Sequence, residues 1–404
     1  MKIVRITARN IGFSRTPATL RRHLVSNASR FDDFETKPGG WFGPVVCTLV
    51  EVEADDGTVG IGTAGGFQGG ALELVPGSYA DLLLGEDPRR HEHLWQRMYQ
   101  TTVRFGRSGV AVAAISALDI ACWDLHGKAE GKPVVDLVGG RVQTSVPCYV
   151  SRLYALEDLD ELADEARSWA KAGFTRMKQR FGFGPKDGLR GLRRNVELVR
   201  TVRDAVGDDV ELAADAYMGW DLGYAIEAAK WLRELDLTWI EEPLFPNDFA
   251  GYAELKRRCP WQRWSCGEHL YTKWEIQQLI ELRAVDILQP DVNRVGGITE
   301  ASKICALAET AGLPVVPHSN EAHNLHVIFS RAASVCPLVE YFPEAEPDTG
   351  NELFWKLYSG TPRAEDGSIA LPEAPGLGIE IDEPVAGELQ VGEPRAVCLS
   401  DRMA

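Results

Sequence analysis

No two cysteines in this chain are spaced as CxxC; the eight stand singly at Cys47, Cys122, Cys148, Cys259, Cys266, Cys305, Cys336 and Cys398. That scatter excludes a ribbon-type zinc site and a dense disulfide framework, and it suits reduced, mostly buried thiols. Positive charge is scarce too: 43 Lys and Arg face 59 Asp and Glu, for a formal net charge of −16. Such a balance gives no electrostatic footprint for nucleic acid or an anionic membrane, while leaving room for a local basic pocket that takes a small acidic substrate. The start, MKIVRITARNIGF, has no basic segment followed by a long apolar one, and no later run reads as apolar for long enough to span a bilayer. The expectation is a cytoplasmic protein that binds neither nucleic acid nor membrane.

What is present is core material. With 404 residues and 45% hydrophobic content, the chain can bury one large core and a smaller one. From Lys2 to about Gly65 the signals are strand-like, with Asp55-Asp56-Gly57 between two alternating runs as a hairpin cue. Between roughly Ser14 and Gly40 lies a polar stretch without sustained period, which predicts a long surface loop. Ile115, Leu118, Cys122 and Leu125 recur at helical spacing between Val112 and Lys128. Residues 1–130 are therefore predicted to form an α+β domain.

After Gly139-Gly140 short apolar runs alternate with amphipathic helices. Eight strands are predicted, in VPCYV, TRMKQRF, VELAADAY, LTWIEE, RWSCGE, VDILQP, LPVVPH and PLVEY. So many β-then-α units in series favour a closed (β/α) barrel, here over residues 140–356, above an open sheet. The remainder, 357–404, lacks that rhythm and is expected to return to the first domain.

Ionisable residues close five of these strands: Asp215, Glu241, Glu268, Asp291 and His318. Active sites of such barrels form at the carboxyl ends of the strands. Three adjacent acids, Asp215, Glu241 and Glu268, would repel one another unless a cation neutralised them, and all-oxygen ligation favours Mg²⁺. Glu242 should point away from that site by strand alternation, as a support for a ligand. Asp291 can accept from one ring nitrogen of His318 and leave the other free as a general base. Lys178 and Arg180, one residue apart, should both face the barrel interior, where a substrate carboxylate would compensate them. Arg180 stays protonated and is a very poor base, whereas Lys178 could have a depressed pKa beside Arg180 and a metal. The His91-Glu92-His93 run is read as surface, because neighbours in a helix do not share a face.

These motifs together resemble the enolase superfamily, and within it the mandelate racemase-like subgroup. The resemblance rests on AAISALDIACWDLHGKAEGKPVVDLVGG, the acids ending in Glu268, QPDVNRVGG with Asp291, and PHSNEAH with His318. It implies an α+β capping domain over a modified (β/α)8 barrel, one Mg²⁺ held by Asp215, Glu241 and Glu268, and abstraction of a proton α to a carboxylate to give an enediolate. It further implies that Glu340 hydrogen-bonds the substrate carboxylate and that the chain forms a symmetric homo-oligomer. KQRFGFGPKDG, WIEE, GYAELKR and CGEH are similar to acid-sugar dehydratases of the L-rhamnonate dehydratase type.

In the family's common KxK motif the second lysine is catalytic; here that place holds Arg180. This favours one-base dehydration of an acid sugar to a 2-keto-3-deoxy acid over two-base racemisation. In that scheme His318 is the base, Asp291 orients it, and Lys178 and Arg180 stabilise charge and bind substrate with Glu340. The loop carrying Arg21, Arg22, His23 and Trp41 could close on the distal hydroxyls, with His23 and Trp41 as substrate contacts. Two alternatives stay open: a racemase or epimerase with Lys178 as second base, and a non-catalytic sugar-acid-binding protein.

Overall fold

The computed structural model describes residues 1–13, 22–23, 25–26, 45–66, 68–344, 352–371 and 373–402, with backbone alone for residues 13, 22, 23, 352–354 and 402. Trp41, Arg21 and most of the loop expected between residues 14 and 40 lie outside this set, as does the His23 side chain. The backbone of Arg22 and His23 pairs with Leu156 and Ala155, just past the end of the first barrel strand.

Strands β1 (Ile3–Phe13), β2 (Val45–Ala54) and β3 (Val59–Ala64) form an antiparallel sheet. The C-terminal strand Gln390–Cys398 completes it on the free edge of β1. Gly57 takes φ 84° in the β2–β3 turn, a conformation glycine adopts without penalty. Helix α1 (His91–Thr102) packs against helix α2 (Val110–Glu130), which covers this sheet. Two glycines in β3 let α2 approach. A Cβ on Gly60 would lie 2.1 Å from the Ala121 carbonyl oxygen, and one on Gly62 would lie 2.1 Å from that of Ala117.

Helix α2 is buried on nearly every face, because β3 packs on one side and the barrel on another. By length and composition it is apolar enough to cross a membrane, which corrects the expectation that no such run exists; 83% of its most apolar 18-residue window is buried within the protein. Its buried acids are satisfied by backbone donors. Asp119 accepts from the Thr299 amide at 2.9 Å, and Asp124 accepts from the amides of Ile61 at 2.8 Å and Leu377 at 2.7 Å. The surface reading of the His-Glu-His run also needs correction for His91. It faces inward, stacks on Trp123 with ring centroids 3.5 Å apart, and bonds to His126 at 3.0 Å. His93 is exposed, since two residues of helical rotation, about 200°, carry it to the opposite face.

The second sheet is the barrel. Strands β4 (Val146–Ser151), β5 (Arg176–Arg180), β6 (Glu211–Asp215), β7 (Leu237–Glu241), β8 (Trp264–Cys266) and β9 (Ile287–Leu288) run parallel in that order, and β10 (Val339–Tyr341) pairs with β4. Strand alternation sorts the side chains into an outer shell against helices and an inner column. Tyr149, Ala213, Trp239, Ile287 and Val316 cluster in that column. Each stands two residues before a polar inward position: Ser151, Asp215, Glu241, Gln289 and His318. An apolar plug thus underlies a polar layer at the carboxyl ends.

The seventh of the eight predicted strands is reduced to a single bridge between Val315 and Leu288. Pro314 and Pro317 remove two ladder donors from LPVVPH, so the segment cannot sustain pairing on both edges. Side chains help close the gap: the Ser319 amide donates to Glu340 at 3.0 Å and the Phe342 amide to Asn320 at 2.9 Å. The fold is a modified (β/α)8 barrel with an α+β cap built from both ends of the chain.

Candidate active site

Register brings the polar layer together before any side-chain contact is considered. Arg180 pairs with Asp215 across β5 and β6, and Asp215 pairs with Glu241 across β6 and β7, so the three lie in one row. The Arg180 guanidinium bonds directly to Asp215. One layer deeper, the Lys178 ammonium lies 2.7 Å from Glu241 Oε1 and 2.5 Å from Glu340 Oε1, fully buried. Glu241 also accepts from Gln289 at 2.7 Å.

On the other flank, Asp291 Oδ2 lies 3.0 Å from His318 Nδ1, and Glu268 Oε2 lies 3.0 Å from His318 Nε2. Gly267, at φ 143°, turns the chain after β8 so that Glu268 reaches this point. Glu268 is shared between two imidazoles, since His269 Nδ1 lies 3.2 Å from it and 2.6 Å from Glu242. Ligand-capable atoms of Glu242, Glu268 and His269 fall within 4.8 Å of one another. Glu242 is turned to the outer side of its strand, where it also accepts from the Gly267 amide at 3.4 Å.

Burial and charge oppose each other throughout. Burial raises the Glu241 carboxyl to about 8 despite Lys178, with Asp215 and Glu340 adding to the rise. Asp215 is raised by burial against the pull of Arg180 and Lys178. For Glu268 burial is outweighed by His318 and His269, and for Asp291 by Arg294 and His318, so both are lowered. Burial would discharge His318, but Glu268 and Asp291 hold its pKa well above that of an ordinary histidine. The expectation is a depressed Lys178 pKa beside Arg180 and a metal; without the charge of a metal the balance runs the other way. Burial and Arg180 do lower it, yet Glu241 and Glu340 prevail and the amine is held as ammonium.

The structure therefore gathers Lys178, Arg180, Asp215, Glu241, Glu268, Asp291, His318 and Glu340 at one end of the barrel. His23 enters through its backbone only, and Trp41 falls outside the described residues. Sequence reasoning missed Gln289 and Arg294. Gln289 shares the inward parity of Asp291, a signal that was readable. Arg294 lies 3.4 Å from Asp291 and donates to the Glu268 carbonyl at 3.0 Å, but it depends on a single helical turn over Val292–Val295.

Residues 161–385 match the family model for the enolase C-terminal domain-like fold, and residues 44–139 match that for the mandelate racemase / muconate lactonizing enzyme N-terminal domain. The chain is 36% identical over 368 residues to an L-rhamnonate dehydratase of Saccharopolyspora erythraea, covering 90% of each. The crystal structure of rhamnonate dehydratase from Gibberella zeae complexed with Mg superposes with a TM-score of 0.83 at 32% identity, over 96% of both chains. L-talarate dehydratase from Polaromonas sp. JS666, complexed with Mg and L-glucarate, gives 0.79 at 27% identity, over 98% of this chain and 99% of that one. With family models matched over residues 44–139 and 161–385 and a relative 36% identical over 90% of the chain, the chain belongs to the enolase superfamily, in the mandelate racemase-like group.

Proposed function

We propose that the protein is a Mg²⁺-dependent hydro-lyase that dehydrates an acid sugar, an aldonate of the L-rhamnonate kind, to a 2-keto-3-deoxy acid. The observation that carries this reading is the placement of His318 and Arg180. The imidazole, tied to Asp291, meets the carboxylates at Glu268, while a guanidinium that cannot act as a base meets them at Asp215. Relatives named as dehydratases support the reaction class.

The donor set fits a hard divalent ion. Five buried carboxylates, Asp215, Glu241, Glu268, Asp291 and Glu340, face three permanent cations, Lys178, Arg180 and Arg294. With His318 neutral these eight groups carry two net negative charges, and Glu241 is raised to about 8 by burial first and then by Asp215 and Glu340. Asp215, Glu241 and Glu268 would hold the ion. When bound, Mg²⁺ supplies Lewis acidity and countercharge to a carboxylate beside the reacting carbon.

Lys178 grips the substrate carboxylate as a cation, Glu340 adds a hydrogen bond to it once it has taken up a proton to donate, and Arg180 adds fixed positive charge where the enediolate develops. Asp291 accepts from His318 Nδ1, which leaves Nε2 to take the C2 proton. The imidazolium returns that proton to the 3-hydroxyl as it leaves on the same face, so water departs and the remaining enol becomes the 2-keto-3-deoxy acid. Racemisation needs a second base, and Lys178, held as ammonium by two carboxylates, is a poor one.

In this reading residues 1–130 and 357–404 cap a barrel of 140–356, and the loop bearing His23 and Trp41 covers the distal hydroxyls. The enzyme works in the cytoplasm as a homo-oligomer. The test is His318→Asn assayed on a panel of aldonates with semicarbazide detection of keto acid. Loss of product is expected, and turnover near that of the unmodified protein overturns the proposal.

A further inference from the structure

We infer that Asn293 is a positioning residue through which the docked cap holds the His318–Asp291 pair in line. This rests on the reading of His318 as the base. Asn293 stands two residues past Asp291 in the turn after β9, and three of its polar groups are engaged. Its backbone amide donates to Asp291 Oδ1 at 2.8 Å, on the carboxylate oxygen that His318 does not use. Its side-chain carbonyl accepts from the Thr63 hydroxyl of β3 at 2.8 Å. Its side-chain amide donates to Glu321 Oε2, which also accepts from the Ser319 hydroxyl at 3.2 Å, next to His318. The orientation of the amide is chemically fixed, since a carboxylate can only accept.

Thr63 belongs to the cap and Asn293 to the barrel, 230 residues apart. Thr63 and Tyr358 of the C-terminal segment line one small cavity. Gly65, just past β3, presses on the same residue: a Cβ there would lie 3.1 Å from Asn293 Cβ. Further contacts pin the rest of the turn from the cap side. Trp95 donates to the Gly296 carbonyl at 2.8 Å and the Gly296 amide donates to Ser116 at 2.9 Å. The stretch from Asp291 to Gly296 therefore takes its shape from the cap as much as from the barrel. Asp291 must present Oδ2 to an imidazole whose aim fixes the proton transfer, and small misplacements of such groups cost large factors in rate.

The consequence is a cap that contributes to turnover as well as to substrate choice. Thr63→Val removes the hydroxyl at nearly constant volume, and Thr63→Ser restores it. With the Mg²⁺-loaded full chain and an aldonate that it turns over, Thr63→Val and Asn293→Ala are expected to lower kcat about tenfold or more while KM stays within about twofold. Thr63→Ser recovers most of the lost kcat. A merely structural role would lower the melting temperature of Thr63→Val and leave the kcat of the remaining folded enzyme intact, and that result overturns the inference. His318→Asn is run beside them. If it stays active, the assignment of the base has failed; if it is inactive while Thr63→Val and Asn293→Ala keep full kcat, only the positioning role has failed.

Discussion

His318 Nε2 lies 3.0 Å from Glu268 Oε2, so the atom assigned to take the substrate proton is engaged by a carboxylate assigned to the metal. Such an imidazole is charged and has no lone pair to offer. Engagement of Glu268 by a divalent ion would remove the contact and add positive charge nearby, both of which favour the neutral ring.

Mg²⁺ binding is accordingly expected to release up to about one proton near neutral pH. Calorimetric titration in buffers of different ionisation enthalpy measures this directly. His318→Asn should show a smaller release, and a binding heat independent of buffer in the unmodified protein would contradict the linkage. Chelation with EDTA should abolish turnover, and Mg²⁺ should restore it.

Lys178 is fully buried between Glu241 and Glu340. Replacing it with methionine leaves two carboxylates without their shared cation, a change that costs about 3–5 kcal/mol in comparable buried pairs. Lys178→Met is therefore expected to melt at a lower temperature without Mg²⁺, and to recover part of the loss when Mg²⁺ is added. A melting temperature equal to that of the parent would show that the ammonium is not what compensates these acids.

His326 provides a pH effect away from the metal site. Its Nδ1 accepts from the Val135 amide at 3.0 Å, and burial lowers its pKa from 6.5 to about 4 despite an opposing backbone contact at Leu377. The folded state therefore prefers the neutral ring. Its contribution is complete above pH 6.5 and is lost as pH falls toward 4, by about 3 kcal/mol in total. Denaturant melts across that window should show a flatter pH dependence for His326→Gln than for the parent. Parallel curves would remove His326 from the account.

Gly62→Ala tests the packing of the cap without touching the polar layer. The added methyl would sit 2.1 Å from the Ala117 carbonyl oxygen, so β3 and α2 must separate. Overpacking of this sort costs about 1–3 kcal/mol, read as a drop in melting temperature. An unchanged melting point would mean that the helix can shift freely, contrary to its burial on both sides.

The polar layer was legible because strand alternation and barrel topology convert sequence position into spatial position. Acids that close successive apolar runs must meet at one end, whatever the details of the loops. The charge on Lys178 was not legible, since it depends on carboxylates at positions 241 and 340 whose distances no local pattern encodes. The loss of the seventh strand could have been read from Pro314 and Pro317, but hydrophobicity dominated that reading. The spacing of Ile115, Leu118, Cys122 and Leu125 marks a single apolar stripe on helix α2, whereas sheet and barrel bury it on two sides. The link from Thr63 to Asn293 joins two ordinary polar residues 230 positions apart, and only the docking of the cap makes them neighbours.

Helix α2 also sets an order of assembly. Asp124, near its middle, receives its last backbone donor from Leu377, 253 residues later in the chain. At ribosomal rates of about 5–20 residues per second, that donor arrives on the order of ten to fifty seconds after Asp124 is made. For part of this interval a newly made chain carries an apolar helix whose sheet side can be covered but whose barrel side cannot. An apolar segment is thus finished early and fully covered late, and early docking of α2 against β3 is what would shield it in the growing chain.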